Sequence, residues 1–312
     1  NFKVSILIPS YNQEEIIEQT LHSALSQTYE NIEVVVSDDA SQDSTPQILL
    51  SWQQKYPEKL KVFLHKENVG VTQNHNRGLL ECAGDFVTFL DGDDLFLPEK
   101  IEKQLGFMLS HPEYTISYHD VDVFDSVTNQ SLYLWSQRFG TRQGKLEDLV
   151  RFGNYLPAVA VMVRREDLPP DGYDKRISVY SDWLLWLSAL KNGGGKIFYL
   201  PEVQAKYRRH SDNLTNTFQQ KFADQNLVLD IVKERFPDLA YEAKMRRSEL
   251  NFMRAVNDFF NRRYMSMMRF LVASLKVSFP RMPWVRLLLR EVKFFFTNRF
   301  FADGIARSIT HD

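Results

Sequence analysis

The chain of 312 residues has a single cysteine, Cys82, so no intramolecular disulfide can form. That usage fits a reducing compartment, and a cytoplasmic location is expected. Neither sign of charge is in surplus. The formal net charge is −2, which removes bulk basicity as an argument for nucleic-acid binding. No uninterrupted apolar run reaches the length that spans a bilayer. The opening residues alternate into a strand and do not read as a secretory leader. Internal repeats and low-complexity linkers are absent. No Gly-x-Gly-x-x-Gly follows the first apolar run, which argues against a dinucleotide-dependent dehydrogenase. What is present is ordinary globular composition, with 44% hydrophobic and 25% charged residues, enough to bury a core.

Strand-like and helix-like segments alternate through the first hundred residues. Val4-Ser5-Ile6-Leu7-Ile8, Ile32-Glu33-Val34-Val35-Val36, residues 60–64 and Phe86-Val87-Thr88-Phe89-Leu90 read as four strands, the first and last of them buried. Residues 14–26, a segment ending near Tyr56 and residues 72–82 carry helical character, and Pro98 opens another helix. Ser41, Asp43 or Ser44 is expected to cap the second of these. The alternation predicts an α/β fold with a mainly parallel sheet covered by helices.

In such a sheet the loops after the strands share one edge, where ligands bind. Those loops hold Ser10-Tyr11-Asn12, then Ser37-Asp38-Asp39, then Glu67, Asn68 and Gly70, and last Asp91-Gly92-Asp93-Asp94. The last loop sets three carboxylates at the end of a buried strand. Their repulsion and desolvation call for a positive partner, most simply a hard divalent cation. An aromatic face, hydrogen-bonding carboxylates and a metal together suit a nucleotide diphosphate. For Asp38 and Asp39 alone, capping of the following helix is the competing reading.

Four motifs then resemble a known family. Val4-Ser5-Ile6-Leu7-Ile8-Pro9-Ser10-Tyr11-Asn12, Ser23-Ala24-Leu25-Ser26-Gln27-Thr28-Tyr29, Val36-Ser37-Asp38-Asp39-Ala40-Ser41-Gln42-Asp43-Ser44-Thr45 and Leu90-Asp91-Gly92-Asp93-Asp94 are similar to the signatures of family 2 glycosyltransferases. The resemblance covers roughly the first 215 residues, and the joint occurrence of the motifs is specific where each alone is weak. It implies the GT-A fold, Rossmann-like with a mixed, mainly parallel sheet flanked by helices. It also implies transfer of a sugar from a nucleotide-sugar, with UDP as the expected carrier, and inversion at the anomeric carbon.

The resemblance also implies residue roles. Pro9, Tyr11 and Asn12 belong to donor binding, with Tyr11 packing on the nucleobase. Asp39 accepts from the base, usually the uracil imide. Asp91 contacts ribose or a metal-bound water, and Asp93 coordinates Mg²⁺ or Mn²⁺. Asp94 supports Asp93 or caps the next helix. Asn76 matches a donor-binding asparagine, but His75 stands where the family often has arginine. Arg77 reads as a surface residue of its helix.

The second half is expected to supply acceptor and catalysis. Residues 158–163 read as a strand. Tyr180-Ser181-Asp182-Trp183-Leu184-Leu185-Trp186 reads as a helix start, with Asp182 either an N-cap or, by the resemblance, the general base. One base and one metal suffice for an inverting transfer, because a metal neutralises the leaving diphosphate. Trp183 and Trp186 read as core or as acceptor-pocket residues. Tyr207-Arg208-Arg209-His210 resembles a segment that closes over the diphosphate, with Arg208 on phosphate oxygens and His210 a further metal or phosphate ligand. Asn213, Leu214 and Thr215 continue it, and a mobile lid is the expectation.

The expected organisation is a catalytic domain over 1–216, divided into a nucleotide-sugar half (1–97) and an acceptor half (98–216), with a helical region over 217–312. Between Asn261 and Phe300 that region is basic and aromatic, and Glu291 is its only acid. Such a face suits anionic lipid, packing on the catalytic domain, or a second copy of the chain. Bacterial surface-polysaccharide assembly at the inner face of the plasma membrane, with a saccharide or lipid-linked saccharide acceptor, is the expected setting. A silent sugar-nucleotide-binding or scaffolding protein is the alternative from another class. A nucleotidyltransferase fits less well, because Pro9-Ser10-Tyr11-Asn12 is a poor match to a glycine-rich basic loop. Residues 110–180 carry no readable code for sugar or acceptor.

Overall fold

The computed structural model describes residues 2–210 and 218–277. The predicted motif segments Asn213, Leu214 and Thr215, and the basic-aromatic stretch beyond residue 277, lie outside them. The chain divides into two compact units between Val228 and Leu229.

In the first unit the predicted alternation appears as β1 (Val4–Ser10), α1 (Ile17–Leu25), β2 (Ile32–Asp38), α2 (Thr45–Lys55), β3 (Leu60–Leu64), α3 (Val71–Leu80) and β4 (Phe86–Phe89). β1 and β2 are buried along their whole length, which is why both read as near-continuous apolar runs. β2 and β4 flank β1, β3 pairs β2, and all three pairings are parallel. Gly78 lets α3 press on the sheet: a Cβ there would lie 2.5 Å from Leu7 Cδ1 and 3.0 Å from Ser37 Cβ.

The sheet then turns mixed. β5 (Leu95–Phe96), α4 (Lys100–Ser110), β6 (Tyr114–Asp125), β7 (Ser131–Leu134), α5 (Trp135–Phe139), α6 (Leu146–Phe152), β8 (Met162–Arg164), α7 (Ser181–Gly193), β9 (Lys196–Arg209) and the start of α8 (Phe218–Arg235) follow. The strand order is β3-β2-β1-β4-β8-β6-β9-β5, with β7 on β6. β8 is antiparallel to both β4 and β6, while β6 and β9 run parallel. Two expectations change here. The strand expected over residues 158–163 is a short 3-10 turn, Ala158–Ala160, before β8. Pro157 starts that turn, its carbonyl accepting the Ala160 N–H at 2.9 Å. Tyr207, Arg208 and Arg209, expected in a mobile lid, pair with Val123, Phe124 and Asp125 as the end of β9.

In the second unit α9 (Ala240–Phe260) and α10 (Tyr264–Leu275) form a helix pair. The Ser248 and Ser274 hydroxyls donate to each other's carbonyls, at 3.0 and 2.6 Å. The outward side of α10 leaves Met265, Met268, Val272 and Leu275 exposed. Among the described residues no helix is long and apolar enough to cross a membrane.

Candidate active site

The register sets Ser10 beside Asp38 and Leu7 beside Phe89, so the loops after β1, β2 and β4 meet along one edge. The first two are tied together. The Asn12 N–H donates to Ser41 Oγ, and the Gln42 N–H to Asn12 Oδ1, both at 2.8 Å. Asn12 and Ala40 both take positive φ, +50° and +62°. Asparagine tolerates that conformation; for Ala40 it is a local strain held by the surrounding bonds.

Asp38 and Asp39 do not cap the next helix. Asp38 accepts from the Ser10 and Ser41 hydroxyls, at 3.0 and 2.6 Å, and from the Ser41 N–H. Asp39 is buried and accepts the Val69 and Gly70 N–H groups at 2.9 Å each, closing the third loop on the second. Arg77 is turned toward this corner, 3.9 Å from Asp39 and near Glu67. Tyr11 is 47% exposed at the edge, its ring open to a stacking partner.

The acidic loop is gripped from two sides. Thr20 Oγ1 donates to the carbonyls of Gly92 and Asp94, at 2.9 and 3.0 Å. Asp94 Oδ1 accepts the Arg208 N–H at 2.8 Å, so Asp94 braces β9 and caps no helix. Burial, with the charges of Asp93 and Asp91, pushes the Asp94 carboxyl well above the ordinary carboxylate range. Arg208 is 2% exposed. Its guanidinium donates to the Asp93 carbonyl at 2.7 Å and to Gln19 Oε1 at 2.8 Å, so it braces the acidic loop from β9. His210 Nε2 lies 2.8 Å from Asp93 Oδ2.

Among the described residues no group of three or more His, Cys, Asp or Glu side chains converges to enclose an ion. Mg²⁺ and ions like it, however, are held by one or two carboxylates plus substrate phosphates and waters. Asp93 with His210, beside Asp91, is a donor set of that kind. Two buried oxygens bordering the loop, Asp94 Oδ2 and Gln13 Oε1, have no hydrogen-bond partner among the described residues. A Cβ at Gly92 would press on the end of the Gln13 side chain and lie 3.0 Å from the Pro9 carbonyl, so the loop packs closely against the end of β1. The residues fit a shared cation.

Asp91 faces α3. His75 Nε2 is 3.6 Å from Asp91 Oδ1, and Nδ1 is 2.8 Å from the Val71 carbonyl. A carbonyl only accepts, so Nδ1 carries a proton, and a proton on Nε2 as well gives Asp91 a cationic neighbour. Burial is the largest single influence and opposes that charge, but the bond to Asp91, the charges of Asp91 and Asp182 and the Val71 carbonyl together outweigh it and raise the His75 pKa. Asn76 donates to the Tyr173 carbonyl at 2.8 Å and accepts the Tyr173 N–H at 2.7 Å. It therefore pins the loop that sets the Tyr173 ring 5.0 Å from His75.

Asp182 lies in the first turn of α7, and Tyr180 occupies the cap position. Its Oδ1 accepts the Trp183 N–H and its Oδ2 accepts Asn154 Nδ2, both at 2.8 Å. Burial pushes the Asp182 carboxyl up to about 7, those two bonds hold it down, and Asp91 and His75 act on it with opposite signs. Trp183 and Trp186 are both fully buried core residues. Trp183 Nε1 donates to the Leu149 carbonyl at 3.1 Å, and the Trp186 ring lies 4.8 Å from Phe89. Asn154 was invisible to sequence reasoning, because a lone asparagine after Gly153 carries no motif.

Residues 5–167 match the family described as Glycosyl transferase family 2. The chain belongs to that family. A putative teichuronic acid biosynthesis glycosyltransferase of Bacillus subtilis, TuaG, is 30% identical over 219 residues, covering 68% of this chain and 81% of that protein. An uncharacterized Mycobacterium tuberculosis protein is 32% identical over 215 residues, 68% of this chain, and the aligned part spans only 60% of its length. S. aureus TarS 1-349, solved in complex with UDP-GlcNAc, matches with a TM-score of 0.62 at 20% identity over 93% of this chain and 79% of its own. The mannosyltransferase PcManGT from Pyrobaculum calidifontis, in complex with GDP-Man and Mn²⁺, matches at 0.58 and 17% identity over 93% and 79%. These likenesses give the family 2 chain its GT-A architecture, with the sheet and flanking helices described above.

Proposed function

We propose that this family 2 chain transfers a sugar from a nucleotide-sugar, UDP-linked by preference, to a saccharide or lipid-linked saccharide acceptor by single displacement with inversion. The observation that carries the reading is Asp182. A carboxyl with its pKa near 7, oriented by two hydrogen bonds and electrostatically coupled to the acidic loop, suits a general base. Asp182 takes the acceptor hydroxyl proton as the oxygen attacks. Tyr11 offers a ring to the base, Asp39 a carboxylate to its edge, and Asp91 with His75 a polar wall to ribose. Asp93 and His210 would hold Mn²⁺ or Mg²⁺, whose charge offsets that of the departing diphosphate. Arg208 and Asp94 keep that loop in place from below. The nucleotide complexes of TarS and PcManGT support the donor class. TuaG supports a role in surface-polysaccharide assembly, with hexosyl or N-acetylhexosaminyl transfer as the finer expectation.

The outward stripe of α10 is flanked by exposed Arg262, Arg269 and Lys276, and no acid lies between Asn261 and Val277. That supports peripheral contact with anionic lipid at the inner face of a bacterial plasma membrane. In a flotation assay, intact protein left in the bottom fraction beneath anionic liposomes favours a second copy of the chain as the occupant.

The central test is turnover of UDP-sugars against a panel of saccharide acceptors with Mn²⁺ present, with product stereochemistry read by NMR. Asp182→Ala should cut turnover by about 10²–10⁴-fold and spare calorimetric UDP binding. Donor binding with no transfer or hydrolysis in the wild type would favour the silent binder. Wild-type turnover in Asp182→Ala would remove the base from the mechanism.

A further inference from the structure

The helix that bears Asp182 has an anchor outside the donor edge. Ser178, Val179 and Tyr180 lead into α7, and their N–H groups converge on one oxygen. Asp224 Oδ2, on α8, accepts from Val179 N–H at 2.6 Å, Ser178 N–H at 3.1 Å and Tyr180 N–H at 3.4 Å. It also accepts the Ser178 hydroxyl at 3.1 Å. Asp224 Oδ1 accepts Gln220 Nε2 at 2.8 Å, and the same amide donates to Ser178 Oγ at 3.0 Å. Asp224 is 3% exposed. These partners are all neutral, so the carboxylate's desolvation is met by several dipoles at once. Simple packing of α8 would need only an apolar side chain there.

The same segment is held from the opposite side. Thr72 Oγ1, at the start of α3, donates to the Ile177 carbonyl at 2.6 Å and the Ser178 carbonyl at 3.4 Å. Its amides thus belong to α8 and its carbonyls to α3, the helix that also carries His75. Asp182 follows two residues after Tyr180, with no slack between.

We propose that Asp224 is a positioning residue for Asp182: it fixes the entry to α7, and with it the carboxylate that receives the acceptor proton. The proposal rests on the transferase reading above. It gives α8, which lies beyond the matched residues 5–167, a task in turnover.

The test compares wild type, Asp224→Ala and Asp224→Asn for kcat, donor KM, calorimetric UDP affinity, the pH profile and thermal denaturation. Misplacement of a catalytic group by an ångström costs on the order of 10²-fold in rate. Asp224→Ala should therefore lower kcat by about that factor, move the acid limb of the pH profile, and leave donor KM and UDP affinity nearly unchanged. Asp224→Asn keeps one accepting oxygen and should recover most of the loss. Wild-type kcat in Asp224→Ala overturns the proposal. So does a parallel fall of kcat, UDP affinity and melting temperature. If Asp224→Ala does not fold, Ser178→Gly, which removes one donor to the same oxygen, is judged by the same split. Hydrogen exchange at the Val179 and Tyr180 amides separates this idea from its premise. Accelerated exchange in Asp224→Ala, or in Ser178→Gly if that variant does not fold, supports the clamp even if no donor is turned over, and unchanged exchange sinks it.

Discussion

Asp182→Asn replaces an ionisable carboxyl by a neutral side chain of nearly equal volume. In the folded protein the Asp182 carboxyl lies near 7, against an ordinary 3.8. Below 3.8 the group is protonated both folded and unfolded, and its titration contributes nothing. As pH rises toward 7 the unfolded chain ionises first, so folding grows less favourable; above 7 the penalty is constant. At about 1.4 kcal/mol for each tenfold in proton affinity, that interval amounts to roughly 4 kcal/mol. The asparagine keeps one oxygen for the Trp183 N–H but turns its amide toward the Asn154 amide, donor facing donor, which returns about 1 kcal/mol. The variant should therefore be more stable than wild type by about 3 kcal/mol at pH 8, with the gap narrowing steadily toward pH 5. Urea unfolding of both proteins across that range, without nucleotide, measures it. Turnover should fall together with the gain, because an amide takes no proton. A stability difference that does not vary with pH would refute the reasoning, whatever the activity.

Two further outcomes follow from the site. Asp93→Ala should abolish the enhancement of UDP binding by Mn²⁺ in calorimetry and leave metal-free binding largely intact; enhancement that survives would move the cation elsewhere. Asn154→Ala removes a bond that favours ionised Asp182, so the acid limb of kcat/KM should move to higher pH, and an unmoved limb would break the link between the two residues.

β1, β2 and β4 were legible because each is buried along its length and reads as an apolar run, whereas the edge strand β3 leaves Lys61 and Leu64 exposed. Leu60–Leu64 carries the bounds expected of it. The polar loops after them were legible because a shared sheet edge follows from parallel pairing. The later strands were not. β6 and β9 are neighbours only in three dimensions, and β9 contains Glu202, Gln204 and two arginines that break any simple pattern. Arg208 was expected on phosphate oxygens, whereas in the structure its N–H meets the carboxyl of Asp94 and its guanidinium the carbonyl of Asp93. Asn154, Thr72 and Asp224 carry no motif at all. Their roles arise from contacts across tens to about a hundred residues, which local pattern cannot encode. His75 was noted as a departure, and only its two acceptors show how a smaller cation can face Asp91.

The Arg208 N–H that Asp94 requires lies 114 residues downstream. On a ribosome, the first half of the sheet can pair long before that strand emerges. During that interval the acidic loop can make its bonds to Thr20 but not those to Arg208. The acidic corner therefore reaches its folded form only late in synthesis, after the strands that surround it in sequence have already paired.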